Sequence, residues 1–356
     1  MSAVLSARVS FSEGELLATE PQLAPLVAGG VRCHGGFDAD GAYRSPRTLN
    51  RQPAIDAWQD QVVAAGAPLL TIAPELVPPH YPSVAQAKLL LREGVSEPIV
   101  RALSMIAIVE GFGAVIRNVP VARLDTLVCE PVAGTALAHL GELFEAHARD
   151  EAGHKDEGGH KQMWEAARDL ALDHPQVPSD LLLRFMGRRA AAPKTPKPRT
   201  FPALDPTLER MLGTMTNVLV IELFAAETFD WGESLLRDGE VSKDPAAAGA
   251  MVAHIRADER PHVEYLRAAL SEVRARTLRT ADGATISGKL VVDALLHETL
   301  STMTTDRPKD QRDETRGALV TAIRAAGKGD SLLEAFDALA PAWTPPAKTG
   351  FEPTLS

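Results

Sequence analysis

Apolar residues recur every third or fourth position through most of the chain, a period that predicts helices. Short helices are expected over 53–65 and 84–93, separated by the proline-rich segment Pro74 to Pro82. A first long helix runs from about Glu97 to Asn118 and stops before Pro120, which cannot continue it. Its partner starts near Pro131, a residue suited to a first helical turn, and continues to about residue 173, before Pro175. A short helix follows Ser179-Asp180. Asp205-Pro206 caps a third long helix reaching about Asp238, and Asp244-Pro245 caps a fourth reaching about Ala275. Smaller helices are expected over 287–304, 311–326 and 329–339. Residues 1–52 carry Gly29-Gly30, Gly35-Gly36 and Ser45-Pro46-Arg47, and read as irregular structure wrapped on the rest. Strand signals are scarce, so the expected fold class is all-α.

Polar residues interrupt this pattern in a repeated way. Asp150-Glu151-Ala152-Gly153-His154 and Asp258-Glu259-Arg260-Pro261-His262 are two copies of Asp-Glu-x-x-His, 108 residues apart. Positions i and i+3 share a helix face, so each copy aims a carboxylate and an imidazole the same way, a donor pair that suits a divalent first-row metal. One Glu-x-x-His alone is most often a solvated face. Here Glu259 and His262 share a stripe with Val252, Ile255 and Leu266, and Glu151 and His154 share one with Leu140, Phe144 and His147. Charges on an apolar stripe would be buried, and buried charges need partners or a metal.

Two more glutamates sit in matching surroundings. Glu110 lies in Ile108-Val109-Glu110-Gly111-Phe112-Gly113-Ala114, and Glu222 in Val220-Ile221-Glu222-Leu223-Phe224-Ala225-Ala226. Glu110 precedes Glu151 by 41 residues and Glu222 precedes Glu259 by 37, so both halves repeat the order lone Glu, turn, Asp-Glu-x-x-His. Glu222 is preferred to Glu227 because it lies level with Glu259 across the turn, and Glu227 points about 140° away from it at 100° per residue.

This arrangement resembles the ferritin-like di-iron carboxylate proteins, in which two helices each give a Glu and two others each give Glu-x-x-His. The resemblance covers roughly residues 97 to 275. It implies a ferritin-like four-helix bundle over 96–275, an N-terminal extension over 1–95 and a helical C-terminal extension over 276–356. The basic, proline-rich stretch 190–202 would be the crossover between parallel helices two and three. It implies two metal ions, Fe/Fe or Mn/Fe, held by Glu110, Glu151, His154, Glu222, Glu259 and His262. Asp150 and Asp258 would accept the second N–H of a histidine ligand on a neighbouring helix; the alternative, a surface salt bridge, is disfavoured because the Asp recurs in both copies. His147, one turn before Glu151, is either an added ligand, as in the arylamine N-oxygenase branch, or a pocket histidine. Gly113, Phe112 and Phe224 would border a substrate pocket, Gly111 and Gly113 giving either room beside the metals or close helix packing. Pro261 should disturb its helix between the two ligands. His160 and Glu157 are expected to face solvent beyond the site.

The activity so implied is that of an O2-activating oxygenase or oxidase acting on a small organic substrate. A separate reductase or ferredoxin would supply electrons, since the chain carries no flavin or nicotinamide motif. The rival is a non-catalytic iron-binding or storage protein. Storage is disfavoured by the long extensions and by the asymmetry of His147 and Gly113, whose equivalents in the other half are Ile255 and Ala225. With Glu157 and Gly158 after the first motif, a radical tyrosine of the ribonucleotide reductase kind has no place. Cys33 and Cys129 cannot form a rubredoxin-like site. The net charge of −10 argues against nucleic acid or an anionic membrane as the partner. No run of 18 apolar residues and no signal peptide is evident, so a cytoplasmic protein is expected, with a homodimer compatible.

Overall fold

A computed structural model describes residues 8–19, 22–183, 186–187 and 198–342. The fold is mainly helical, with two small sheets. The helices are α1 (Glu13–Leu16), α2 (Thr48–Ala64), α3 (Val84–Arg92), α4 (Glu97–Gly113), α5 (Leu124–Leu127), α6 (Leu140–Ala152), α7 (His160–Leu172), α8 (Pro206–Leu236), α9 (Pro245–Arg274), α10 (Gly288–Ser301), α11 (Arg307–Ala325) and α12 (Asp330–Ala338). Residues 188–197, most of the expected crossover, lie outside the described residues.

Local chemistry fixes the long helices. The Asp205 carboxylate accepts the Thr207 and Leu208 N–H groups at the start of α8, and the Asp244 carboxylate accepts that of Ala247 at the start of α9. In each case a proline follows, whose missing N–H has no intrahelical partner to lose. α9 runs unbroken through Pro261. α4 packs on α6 and α7, α7 on α9, and α9 on α8.

Burial divides the interior into two apolar clusters. One gathers Leu140 and Phe144 of α6, Met211 to Val220 of α8 and Tyr265 to Val273 of α9. The other gathers Ile99 to Ala107 of α4, Trp164 of α7, Phe229 of α8 and Val252 and Ile255 of α9. Between them, α8 carries Glu222 and α9 carries Glu259 and His262. The polar residues thus form a layer between two apolar ones.

Two expectations need correction. Where irregular structure was expected, the described residues of the N-terminal segment form strands: β1 (Ala24–Ala28), β2 (Val31–Phe37) and β3 (Tyr43–Arg44) make an antiparallel sheet in that order, and α2 packs on α9. A second hairpin pairs β4 (Thr277–Arg279) with β5 (Thr285–Ser287). The expected second helix is also divided. It begins as a 3-10 turn at Ala136–His139, becomes α6, ends at Ala152 and resumes as α7 only at His160.

Two stretches have the length and mean hydropathy of a membrane span, 1.9 within Glu97–Asn118 and 1.2 within Pro206–Leu236. They are the helices bearing Glu110 and Glu222, and their open faces include Val109 and Ile221, which line the cavity described below.

Candidate metal centre

The break between α6 and α7 decides which histidine reaches the interior. Gly153 has φ +80°, the left-handed region, and a Cβ there would strike the Glu157 carbonyl oxygen. His154 and Glu157 then exchange backbone hydrogen bonds of 3.1 Å, and the Gly158 N–H donates to the Arg32 carbonyl of β2 at 2.8 Å. A Cβ on Gly159 would lie 2.5 Å from the Asp150 carbonyl oxygen. These glycines let the chain double back against the end of α6. His154 is turned outward and half-exposed, and belongs to none of the histidine and carboxylate clusters. His160 starts α7 fully buried in its place. The expectations for these two residues are therefore reversed, because the helical spacing behind Glu151-x-x-His154 does not exist in the fold.

Seven side chains converge in two groups. Glu110, Glu151, His160 and Glu259 form one, and His147, Glu151, Glu222 and His262 the other, each with donor atoms within 4.8 Å of one another. Glu151 divides its oxygens between the groups: Oε2 lies 3.7 Å from His160 Nδ1, and Oε1 lies 3.5 Å from His147 Nε2 and 3.4 Å from His262 Nδ1. Glu259 does the same, with Oε1 at 2.8 Å from His160 Nδ1 and Oε2 at 2.6 Å from His262 Nδ1. Glu110 Oε2 is 3.6 Å from His160 Nδ1, and Glu222 Oε1 is 3.2 Å from His147 Nε2. The imidazoles of His147 and His262 stack at 3.8 Å between centroids.

Around these lies a second set of contacts, much of it from the N-terminal segment. His262 Nε2 faces Asp150 Oδ2 at 3.0 Å, and His160 Nε2 faces Asp258 Oδ2 at 3.6 Å, so each Asp addresses a histidine on another helix. Asp150 also accepts from Arg47 Nε at 2.8 Å and Arg51 Nη1 at 2.7 Å, all three side chains being buried. The Tyr43 hydroxyl donates to Asp258 at 2.7 Å. Buried His34 stands 3.9 Å from the same carboxylate, and the Tyr265 hydroxyl is 3.1 Å from His147 Nδ1. Sequence reasoning missed Arg47, Arg51, Tyr43 and His34; the only trace was Arg47 and Arg51 one turn apart at the start of α2.

Without a cation the layer holds its own protons. Burial raises Glu110 well above the usual carboxylate range, helped by Glu151 and opposed by His160; burial raises Glu222 likewise, helped by Glu259 and Glu151. Burial alone would lower His160 and His262, but Glu259 above all, with the other facing carboxylates, outweighs it and holds both well above the ordinary imidazole value. His147 is held well below it by burial and by His262. Glu259 resists the upward push of burial through His160 and His262 and stays well below its usual range. His160 Nδ1 and Nε2 and Glu259 Oε1 are buried without a well-formed hydrogen bond. Four carboxylates together carry the charge that two divalent cations would neutralise, and seven donors leave coordination positions open. The donor set fits such ions.

This balance has a pH signature. Glu110, Glu222, His160 and His262 bind protons more tightly folded than unfolded, so the stability of the metal-free chain should fall as pH rises above about 6.5. Cation binding should release these protons, and cation affinity should drop on acidification, beginning above the ordinary histidine value. Thermal melts at neutral and alkaline pH, with and without divalent cation, check the sign. A metal-free chain more stable at alkaline pH would contradict it.

A cavity of about 1280 Å3 opens between α4 and α8 and is roofed by α11. Glu110, Glu151, Glu222 and Gly113 close its inner end, and Phe224 is in its wall, whereas Phe112 is not among the lining residues. Gly113 is required for closeness as well as space: a Cβ there would meet Glu151 Cγ at 2.6 Å. A side chain at 113 would therefore displace a cluster carboxylate, not merely narrow the cavity.

No family model, no curated protein and no solved structure matches the chain.

Proposed function

We propose that this protein is a ferritin-like dinuclear non-haem iron enzyme, an O2-dependent oxygenase or oxidase acting on a small organic substrate. The observation that carries the reading is the division of Glu151 and Glu259, each with one oxygen toward either histidine group. Two cations would be held here, one by Glu110, Glu151, His160 and Glu259 and the other by His147, Glu151, Glu222 and His262. Bound ferrous ions would supply the redox chemistry with O2. The protein's part is to hold these donors, to orient His160 and His262 through Asp258 and Asp150, and to keep water out with the two apolar clusters. Electrons would come from a separate reductase or ferredoxin.

The cavity favours catalysis over storage, since an iron reservoir has no use for a large, mostly apolar chamber ending on the cluster. Anaerobic titration with ferrous ion should give two ions per chain, and admission of air should then consume O2. Binding of one ion or none at micromolar concentration would overturn the reading. Two bound ions with O2 uptake that ends after a single stoichiometric oxidation, even with a chemical reductant present, would favour storage.

A further inference from the structure

We infer that the cavity receives a single-chain alkyl amphiphile, its apolar end directed at Glu110 and Glu151 and its polar head left at the opposite mouth. As a statement about substrate it rests on the function proposed above; as a statement about occupancy it stands alone.

The shape is the first argument. The lining follows one stripe of α4 from Glu97 through Ala102, Met105 and Val109 to Gly113. Sixteen residues of helix separate its ends, about 24 Å at 1.5 Å per residue. A chamber that long and of about 1280 Å3 exceeds what a compact ring system fills, and lies above the common range for small-molecule sites, roughly 300–1000 Å3. The chemistry of the walls is the second argument. Between the carboxylates and the mouth they are chiefly apolar, with Ile106 on one side, Ile221 and Phe224 on another and Leu319 from the roof. Val109 is 43% and Ile221 37% exposed, although both lie on helices whose other faces form the core. Such apolar surface gains by being covered. Alanines at 102, 225 and 322 keep the bore open where larger residues would close it.

The mouth differs. There Arg101 pairs with Glu97 and Asp180, and Ser96 precedes Glu97 in the chain, so a polar head finds charge of both signs and solvent. Inside, a head group would have to pass walls that are chiefly apolar, with Thr228 of α8 and Arg312, Glu314, Thr315 and Thr321 of the roof as their scattered polar groups. It would then meet the carboxylates of Glu110, Glu151 and Glu222, which burial opposes. The orientation follows from that contrast.

The test is displacement of cis-parinaric acid, a fluorescent linear fatty acid, from the full chain, metal-free and iron-loaded. We expect saturable binding of one probe per chain, and competition that strengthens at least tenfold from octanoic to hexadecanoic acid. Ala225→Trp and Ala102→Phe, placed at different depths, should each weaken probe binding tenfold or more while thermal melting stays near wild type. Probe binding that does not saturate, equal competition by the two acids, or unchanged binding in both variants would overturn the inference. Ferrous binding is measured in parallel. Two ions without fatty-acid binding would sink this inference and leave the proposed centre standing; fatty-acid binding without two ions would do the reverse.

Discussion

His160→Ala should reduce bound ferrous ion from two per chain to one or none, whereas His154→Ala should keep both. The contrast follows from the break after α6. His160 is the sole nitrogen donor in the group with Glu110, Glu151 and Glu259, and it is fully buried. Its loss leaves three carboxylates in a closed space with no imidazole, and the ordering by Asp258 has nothing to act on. Glu110, whose carboxyl is pushed up by burial and by Glu151, would lose the opposing influence of His160 and bind a proton more firmly, so the cation would compete less well. His154 lies half-exposed in the reversed segment and reaches none of these groups. Metal analysis after anaerobic loading, with circular dichroism to establish that both variants fold, decides the matter. Equal loss in the two variants, or loss confined to His154→Ala, would restore the uninterrupted Glu-x-x-His reading.

The second large effect is on stability. Asp150→Ala should destabilise the protein by about 3–5 kcal/mol, because it strands two buried guanidinium groups. Arg47 and Arg51 have side chains only 3% and 1% exposed, and Asp150 is the carboxylate that both reach. Burial pushes the Asp150 carboxyl up, but Arg47 and Arg51, with His262, hold it well below the usual aspartate range. A group depressed in the fold contributes stability above its unfolded value, about 3.9, and loses it only as pH falls through the lower folded value. The wild type should therefore keep this contribution down to strongly acidic pH, and the variant should show the deficit throughout. Denaturant unfolding at neutral pH measures it. A deficit under about 1 kcal/mol would mean that the arginines find other partners or water.

Much of this was legible in the chain. Glu110, Glu222, Glu259 and His262 are where the periodicity puts them, because α4, α8 and α9 are continuous and their caps are written in Asp205-Pro206 and Asp244-Pro245. His147 and Glu151 share one continuous stretch of α6, and their spacing held for the same reason. The reading failed at the first residue beyond a helix end. Gly153, Gly158 and Gly159 were the available signal: three glycines in seven residues seldom sit inside a helix, since each forfeits stability there. The expectation of a repeat overrode them. The N-terminal strands were hidden because Val31–Phe37 includes two glycines and pairs through few residues. Its Tyr43, Arg47 and Arg51 are meaningful only through Asp258 and Asp150, 215 and about a hundred residues away. No local pattern encodes a contact of that separation.

That separation also orders events during synthesis. Tyr43, Arg47 and Arg51 leave the ribosome long before Asp150, and Asp258 and His262 come later still. Until α9 is made, a nascent chain exposes the apolar faces of α4 and α8, the two stretches most like membrane spans, with Glu259 and His262 of the cluster still missing between them. Contacts so far apart close late and slowly. On the proposed reading, a metal pair would then be loaded only after most of the chain is complete, and overexpression should draw on chaperones before it draws on the metal supply.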